Sequence, residues 1–417
     1  MKVLLISKWV AGATRGDFFY PGVWRDTFEL ALALKKEGIE IAILTPKIRP
    51  EHIARFKIEF GLQLKNQKIR HIMAPTYNAF GAEWGLIRLK LFLTELKTIR
   101  SFDPDIIQYM QFGASLLYPW VRNKPIIFYS CYLFTPYRNE QKDLQAKQFD
   151  WGISEVFPIK LYYIFWNVVY LGLACLFGAM TLSQMANRGA IFALMHKKGF
   201  DKASKIFGSK TKVIYIQKGI DFPKRLKLPL PQKAESANKI IFIGSILYGK
   251  GIFDLLEAMR LLQQKLPHIE LTIVGTGPSS LVLRMQTLVE EQKLHVVFRG
   301  SYHYENKWDL YRHHALFCLP SYSDAYPSVI LEAMAAGLPV VTTDVIDSPV
   351  IHNQSGLIVP TGNIKKLSEA MYRILTNTKL QQNLGQTAAK AVTQYPWEIT
   401  ARKFTKYYEQ LLQPRVS

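Results

Sequence analysis

Residues 320–341 read Pro320-Ser-Tyr-Ser-Asp324-Ala-Tyr-Pro327-Ser-Val-Ile-Leu-Glu332-Ala-Met-Ala-Ala-Gly337-Leu-Pro339-Val-Val. An apolar strand at 316–320 runs into this stretch, a helix at 328–336 follows, and a strand at 340–343 closes it. Strand, helix and strand at this spacing make a parallel crossover. Pro327 suits the first helical position, where a missing N–H costs nothing. Ser328 and Val329 then present backbone N–H groups at the positive end of a helix, which suits a diphosphate. Glu332 lies one turn further in, on a mostly apolar helix. A carboxylate there needs a partner, and a ribose diol is a suitable one. Asp324 sits ahead of the helix beside the same anion site, or serves as an ordinary capping or turn aspartate.

The same pattern extends outward on both sides. Strands are expected at 240–243, 271–274 and 296–299, with helices at 252–265 and 279–291. Towards the N-terminus, residues 3–7 read as a strand. Residues 23–37 show helical periodicity in Phe28, Leu30, Ala31 and Leu34, and Gly38 stops that helix. A strand at 39–45 ends at Pro46, and others are expected at 69–73, 106–109 and 125–130. Residues 223–238 carry three prolines without periodicity and read as a linker. The order is two doubly wound α/β domains in tandem, with no internal repeat at a period of about 20–50 residues. Ligands of such sheets bind at the carboxyl ends of the strands, here in the cleft between the domains.

Two glycine loops stand at those strand ends. Gly244-Ser-Ile-Leu-Tyr-Gly249-Lys250-Gly251 almost spells a Walker A loop, but Gly251 replaces the Ser or Thr that would hold magnesium. That argues against an ATPase. It leaves either a metal-free phosphate site built from Lys250 and a helix end, or a tight turn with a solvated lysine. Val274-Gly275-Thr-Gly277-Pro278 is either a glycine turn or a place where a ligand approaches the backbone.

The chain has 417 residues, of which 49% are hydrophobic and 20% charged, a composition that folds. The cysteines Cys131, Cys175 and Cys318 form no CxxC pair, so no disulfide framework or cysteine zinc site is expected, and the chain reads as cytosolic. MKVLLISKW reads as a first strand and not a signal peptide. Net charge is +21, and residues 1–230 hold 34 Lys and Arg against 17 Asp and Glu. The basicity of that half suggests an anionic partner.

These motifs, in this order, resemble the retaining GT-B glycosyltransferases of family 4, group 1. The 320–341 stretch is similar to the family's E-x7-E region, Lys250-Gly251 to its G-R-L-x3-K-G loop, and Val274 to Pro278 to its VGxGP. Gly219-Ile-Asp221 resembles the NGVD that closes the first domain. Pro21-Gly22 with 28–34 resembles the N-terminal glycine loop and helix, and Trp397-Glu398 opens a helix like the one that crosses back. The resemblance implies a GT-B fold: an acceptor-binding domain at 1–222, the linker 223–238, a nucleotide-sugar domain at 239–396, and a returning helix at 397–417. It implies Asp324 and Lys250 as catalytic groups. For the donor it implies Gly22, Ser245, Lys250, Gly275, Asp324, Ala325, Tyr326, Ser328, Val329 and Glu332. Arg15, Arg25 and Cys131 are the acceptor-side candidates by position in the cleft.

The expected reaction is transfer from a nucleotide diphosphate sugar, UDP before GDP, to a hydroxyl acceptor, with no metal or other cofactor. Asp103-Pro-Asp105 resembles the family's structural turn and not a metal site. Three residues depart from the pattern: Asp324 replaces the usual first Glu, Ser245 an Arg, and Cys131 a His. The alternative is a degenerate, membrane-binding member without transferase activity.

Residues 161–182 hold no charge in 22 positions, enough to span a bilayer. They read as a buried helix, a membrane-dipping surface helix or a true span. The lysines of 196–218 and the basic apolar run at 86–100 fit attachment to anionic lipid, or are solvated lysines over a core helix. No nucleic-acid motif is present. The expected setting is the cytoplasmic face of a membrane, with a lipid-linked or embedded glycan as acceptor.

Overall fold

A computed structural model describes residues 1–7, 22–48, 53–54, 56–74, 84–110, 124–130, 191–195, 197–207, 212–222, 237–300, 307–322, 324 and 326–413. The N-terminal elements are β1 (Lys2–Ile6), α1 (Gly22–Lys36), β2 (Glu40–Thr45), a π-helical turn (Lys57–Gly61), α2 (Leu62–Asn66) and β3 (Arg70–Met73). They continue with α3 (Trp84–Phe102), β4 (Ile106–Tyr109), β5 (Ile126–Ser130), β6 (Ile191–Leu194), α4 (Lys197–Phe207) and β7 (Lys212–Tyr215). The strands form one parallel sheet in the order β3-β2-β1-β4-β5-β6-β7. Strands such as Lys-Val-Leu-Leu-Ile are apolar on both faces because both faces are covered.

The second sheet is built from β8 (Lys239–Ile243), α5 (Ile252–Gln263), β9 (Glu270–Val274), α6 (Ser279–Glu291), β10 (Val296–Phe298), α7 (Lys307–Arg312) and β11 (Leu316–Leu319). It is completed by α8 (Ser328–Ala335), β12 (Val340–Thr343), β13 (Gly356–Val359), α9 (Ile364–Leu375) and α10 (Thr378–Val392). Its order is β10-β9-β8-β11-β12-β13, again parallel. The strand order reverses between β8 and β11, so the loops that leave these two strands diverge and open a crevice.

The last helix, α11 (Trp397–Leu412), returns to the first sheet. Trp397, Ala401, Phe404 and Tyr408 recur at helical spacing and are buried with Phe28 and Leu30 of α1. The Tyr408 hydroxyl donates to Gln108 on β4, and the Thr400 hydroxyl to the Gln217 carbonyl at 3.1 Å. Gly219 lies against this helix: a Cβ there would come within 2.4 Å of the Trp397 ring, and the Ile220 N–H donates to the Tyr395 carbonyl at 2.8 Å. The motif expected to close the first domain and the motif expected to open the returning helix therefore meet.

Several expectations need correction. The strands expected to run to 299 and 320 end at Phe298 and Leu319, and the helix expected to run to 265 ends at Gln263. Within residues 196–218, α4 and β7 bury Ala203 and Ile214, as in the alternative of lysines over a core helix. Lys218 is buried too, in an ion pair with Asp26 of α1 at 2.7 Å. Asp103 and Asp105 hold a turn, through Lys124 at 2.7 Å and the Lys2 N–H at 2.7 Å. Among the described residues no helix is long and apolar enough to cross a membrane. Residues 161–182 and most of the 223–238 linker lie outside the described residues.

Candidate functional site

Two loops at the switch point of the second sheet carry the charged groups. After β8 the chain passes Gly244 and Ser245 and makes one 3-10 turn at Tyr248–Lys250. It enters α5 through Gly251, whose φ is +69°. A side chain at 251 would sit 2.0 Å from the Pro320 carbonyl oxygen. Packing against the second loop therefore forbids the Ser or Thr that a Walker A loop needs. Gly275 and Gly277 pack in the same way: their Cβ atoms would fall 1.9 Å from the Gly244 carbonyl oxygen and 2.3 Å from that of Ile246.

The second loop follows β11. Tyr322 ties it to the first, with its N–H on the Gly249 carbonyl at 2.9 Å and its hydroxyl on Asp254 of α5 at 2.6 Å. These bonds bring Lys250 and Asp324 together as an ion pair, and both side chains keep some exposure, 24% and 11%. Pro327 is the N-cap of α8, at φ −70° and ψ 120°, one residue earlier than the expected first helical position. The N–H groups of Ser328 and Val329 come next, ahead of Ile330 N–H, which bonds the Pro327 carbonyl at 3.1 Å. They form the positive end of α8, a few residues along the chain from Asp324 of the Lys250–Asp324 pair. Tyr326 is buried and donates its hydroxyl to Tyr395, which pins the loop to the segment preceding α11.

Glu332 lies fully buried on α8. The partner it was expected to need is supplied by protein. Oε1 accepts from Lys307 of α7 at 3.2 Å and from Arg25 of α1, and Oε2 accepts from the Tyr311 hydroxyl at 2.9 Å. Burial alone would raise its pKa. The charges of Arg25 and Lys307, with the hydrogen bonds from Arg25 and Tyr311, outweigh that and hold the carboxyl down to about 2. Arg25, an acceptor-side candidate, crosses from the first domain to this carboxylate.

Gly22 is the first residue of α1. Arg15, Cys131 and Ala325 lie outside the described residues. Lys307, Tyr311, Asp26 and Lys218 were missed. A lysine within Asn306-Lys-Trp-Asp-Leu-Tyr311 reads as a solvated cation, and only the tertiary fold reveals that its side chain is 1% exposed. Cys318 and His314 are buried in the second domain. His314 donates from Nδ1 to the Leu310 carbonyl (2.5 Å), and its Nε2 accepts from the Thr272 hydroxyl (2.8 Å), which spends both ring nitrogens on structure.

Two parallel Rossmann-like sheets, a switch-point site and a returning helix define a GT-B fold. The comparisons agree. Over 98% of both chains the fold matches sucrose-phosphate synthase from Thermosynechococcus elongatus, with TM-score 0.68 at 20% identity. Over 98% of this chain and 100% of the other it matches Anabaena HepE in complex with UDP and glucose, with TM-score 0.67 at 15% identity. Residues 227–391 match the family described as glycosyl transferases group 1. A phosphatidyl-myo-inositol mannosyltransferase from Mycobacterium leprae is 31% identical over 165 residues, 38% of this chain and 43% of that protein. The chain spans about half or less of the length of the first curated relatives it matches, 20% of one and 43%, 54% and 45% of others.

Proposed function

We propose that the chain is a retaining glycosyltransferase. It moves a sugar from a nucleotide diphosphate sugar, UDP in preference to GDP, to a hydroxyl of a lipid-linked or membrane-embedded glycan. The meeting of Lys250, Asp324 and the amino end of α8 carries this reading. An ammonium beside a helix amino end receives a diphosphate and stabilises the charge that grows on it as it departs. The Lys250–Asp324 pair opens on binding. The ammonium turns to the diphosphate, and the carboxylate, with the N–H groups of Ala325 and Tyr326, to the transferred sugar. Ser245, Gly275, Ser328 and Val329 line the donor side, Gly22 approaches from the first domain, and Glu332 takes the ribose. The departing phosphate accepts the acceptor's proton, so Cys131 in place of a histidine is compatible with turnover.

Lys250 and the helix end supply the positive charge, so the reaction runs without metal, and chelators leave it unchanged. The matched fold of a UDP-bound protein supports UDP, and the mannosyltransferase relative's name supports a lipid acceptor. The basic first half supports docking on an anionic, cytoplasmic membrane face, with no role for nucleic acid. Flotation with anionic liposomes checks the docking; protein left at the bottom at low salt excludes it. Calorimetric titration with UDP, GDP, ADP and ATP without metal tests the donor site. The expected result is selective binding of UDP or GDP that weakens in Glu332→Gln. Absence of binding to all four favours a degenerate member.

A further inference from the structure

We propose that Lys307 is a positioning residue of the donor site: it keeps Glu332 ionised and aimed while Arg25 is exchanged for the donor's ribose. The inference rests on the reading of Glu332 as the ribose-binding group. Its own observation is the unequal anchoring of that carboxylate's partners.

Lys307 and Tyr311 belong to the same domain as Glu332, stand one turn apart on α7, and are wholly buried. The Lys307 ammonium also lies 4.8 Å from the centre of the Trp308 ring, which closes it off further. Arg25 differs on both counts. It comes from the first domain, and its side chain is 20% exposed. A buried carboxylate with one cation would already be compensated; this one has two. The second comes from the other domain and is partly exposed to water, so it is the partner that can leave without stranding a charge. A ribose diol offers two hydroxyl donors to the carboxylate in its place. When Arg25 departs, Lys307 and Tyr311 still hold the carboxylate, and Asp221 and Glu29 are near enough to Lys307 to act on its charge. Donor binding is thereby linked to the contact between α1 and α8.

The test uses full-length protein and compares affinity for UDP and GDP with that for their 2′,3′-dideoxy forms. In the wild type the natural nucleotide is expected to bind roughly tenfold or more tighter, as for a lost charge-assisted hydrogen bond. Lys307→Met is expected to abolish that preference while the dideoxy form binds as before, a pattern that general loss of structure would not give. Tyr311→Phe, which removes one hydroxyl, is expected to reduce the preference and serves if Lys307→Met does not fold. Arg25→Ala is expected to raise the preference several-fold, by tightening the natural nucleotide alone, because its competitor for Glu332 is gone. A wild-type ratio in both Lys307→Met and Tyr311→Phe, or weaker binding in Arg25→Ala, overturns the proposal. A wild type that binds both forms equally overturns it by a different route, through the ribose role of Glu332 itself.

Discussion

Two very different ion pairs flank one short helix of the second domain, one ahead of α8 and one along it. Ahead of α8, Lys250 and Asp324 pair with both side chains partly in solvent. One turn along, Lys307 and Glu332 pair with side chains 1% and 0% exposed. The chemistry is identical, a lysine on a carboxylate, but burial assigns the roles. The open pair can be parted by a ligand, since water can solvate each ion during the exchange. The closed pair cannot, because each ion without its partner would stand in a low-dielectric core.

The largest effect should come from breaking the closed pair. Glu332→Ala leaves a buried ammonium without its acceptor and is expected to cost about 3–5 kcal/mol, read as a lower denaturation midpoint. A loss below about 1 kcal/mol would mean that the two pairs do not differ as burial requires. Next is Lys250→Ala at the open pair. Turnover is expected to fall about 10²–10³-fold, as for loss of a transition-state charge partner, with the denaturation midpoint nearly unmoved. Unchanged turnover would make Lys250–Asp324 a mere loop tether.

Acid sharpens the contrast from another side. Burial is the main cause that holds His314 down to about 4 and His71 likewise to about 4, both from an ordinary 6.5. The unfolded chain takes up these protons first, so stability is full above about pH 6.5 and falls as pH drops towards 4, by about 1.4 kcal/mol per unit for each fully shifted group. Glu332, held at about 2, adds its own loss only below its ordinary 4.5. His314→Gln is expected to flatten the midpoint-versus-pH curve between 6.5 and 4; an unchanged slope would show that His314 does not carry it. The smallest effect belongs to a half-exposed surface pair, Lys36–Glu398 at 2.7 Å between α1 and α11. Lys36→Ala should cost about 0.2–1 kcal/mol in thermal unfolding.

Much of the site was legible. Gly244 to Gly251, Gly275 to Pro278 and the 320–341 stretch each announce a strand end, a tight turn and a helix start, because glycine and proline restrict the backbone locally. Even Asn363 and Asn377, which cap α9 and α10 by accepting from the Lys366 and Leu380 N–H groups, are local signals that could have been read. The partners of Glu332 were not legible. Arg25 lies 307 residues away and Lys307 lies 25 away, and no spacing rule links such distances. Lys218 misled for the same reason: within a run of lysines it looks solvated, yet Asp26 meets it in the core.

What the sequence determined by itself is the set of local commitments: apolar runs that must be buried on both faces, glycines where two loops would otherwise collide, and a helix end suited to an anion. Period, turn chemistry and capping act over a few residues, and so a single chain displays them. Only the tertiary structure decided which charges share a carboxylate, and which lysine is open and which closed. Those outcomes depend on burial and on contacts between distant segments, which exist only once both sheets have assembled.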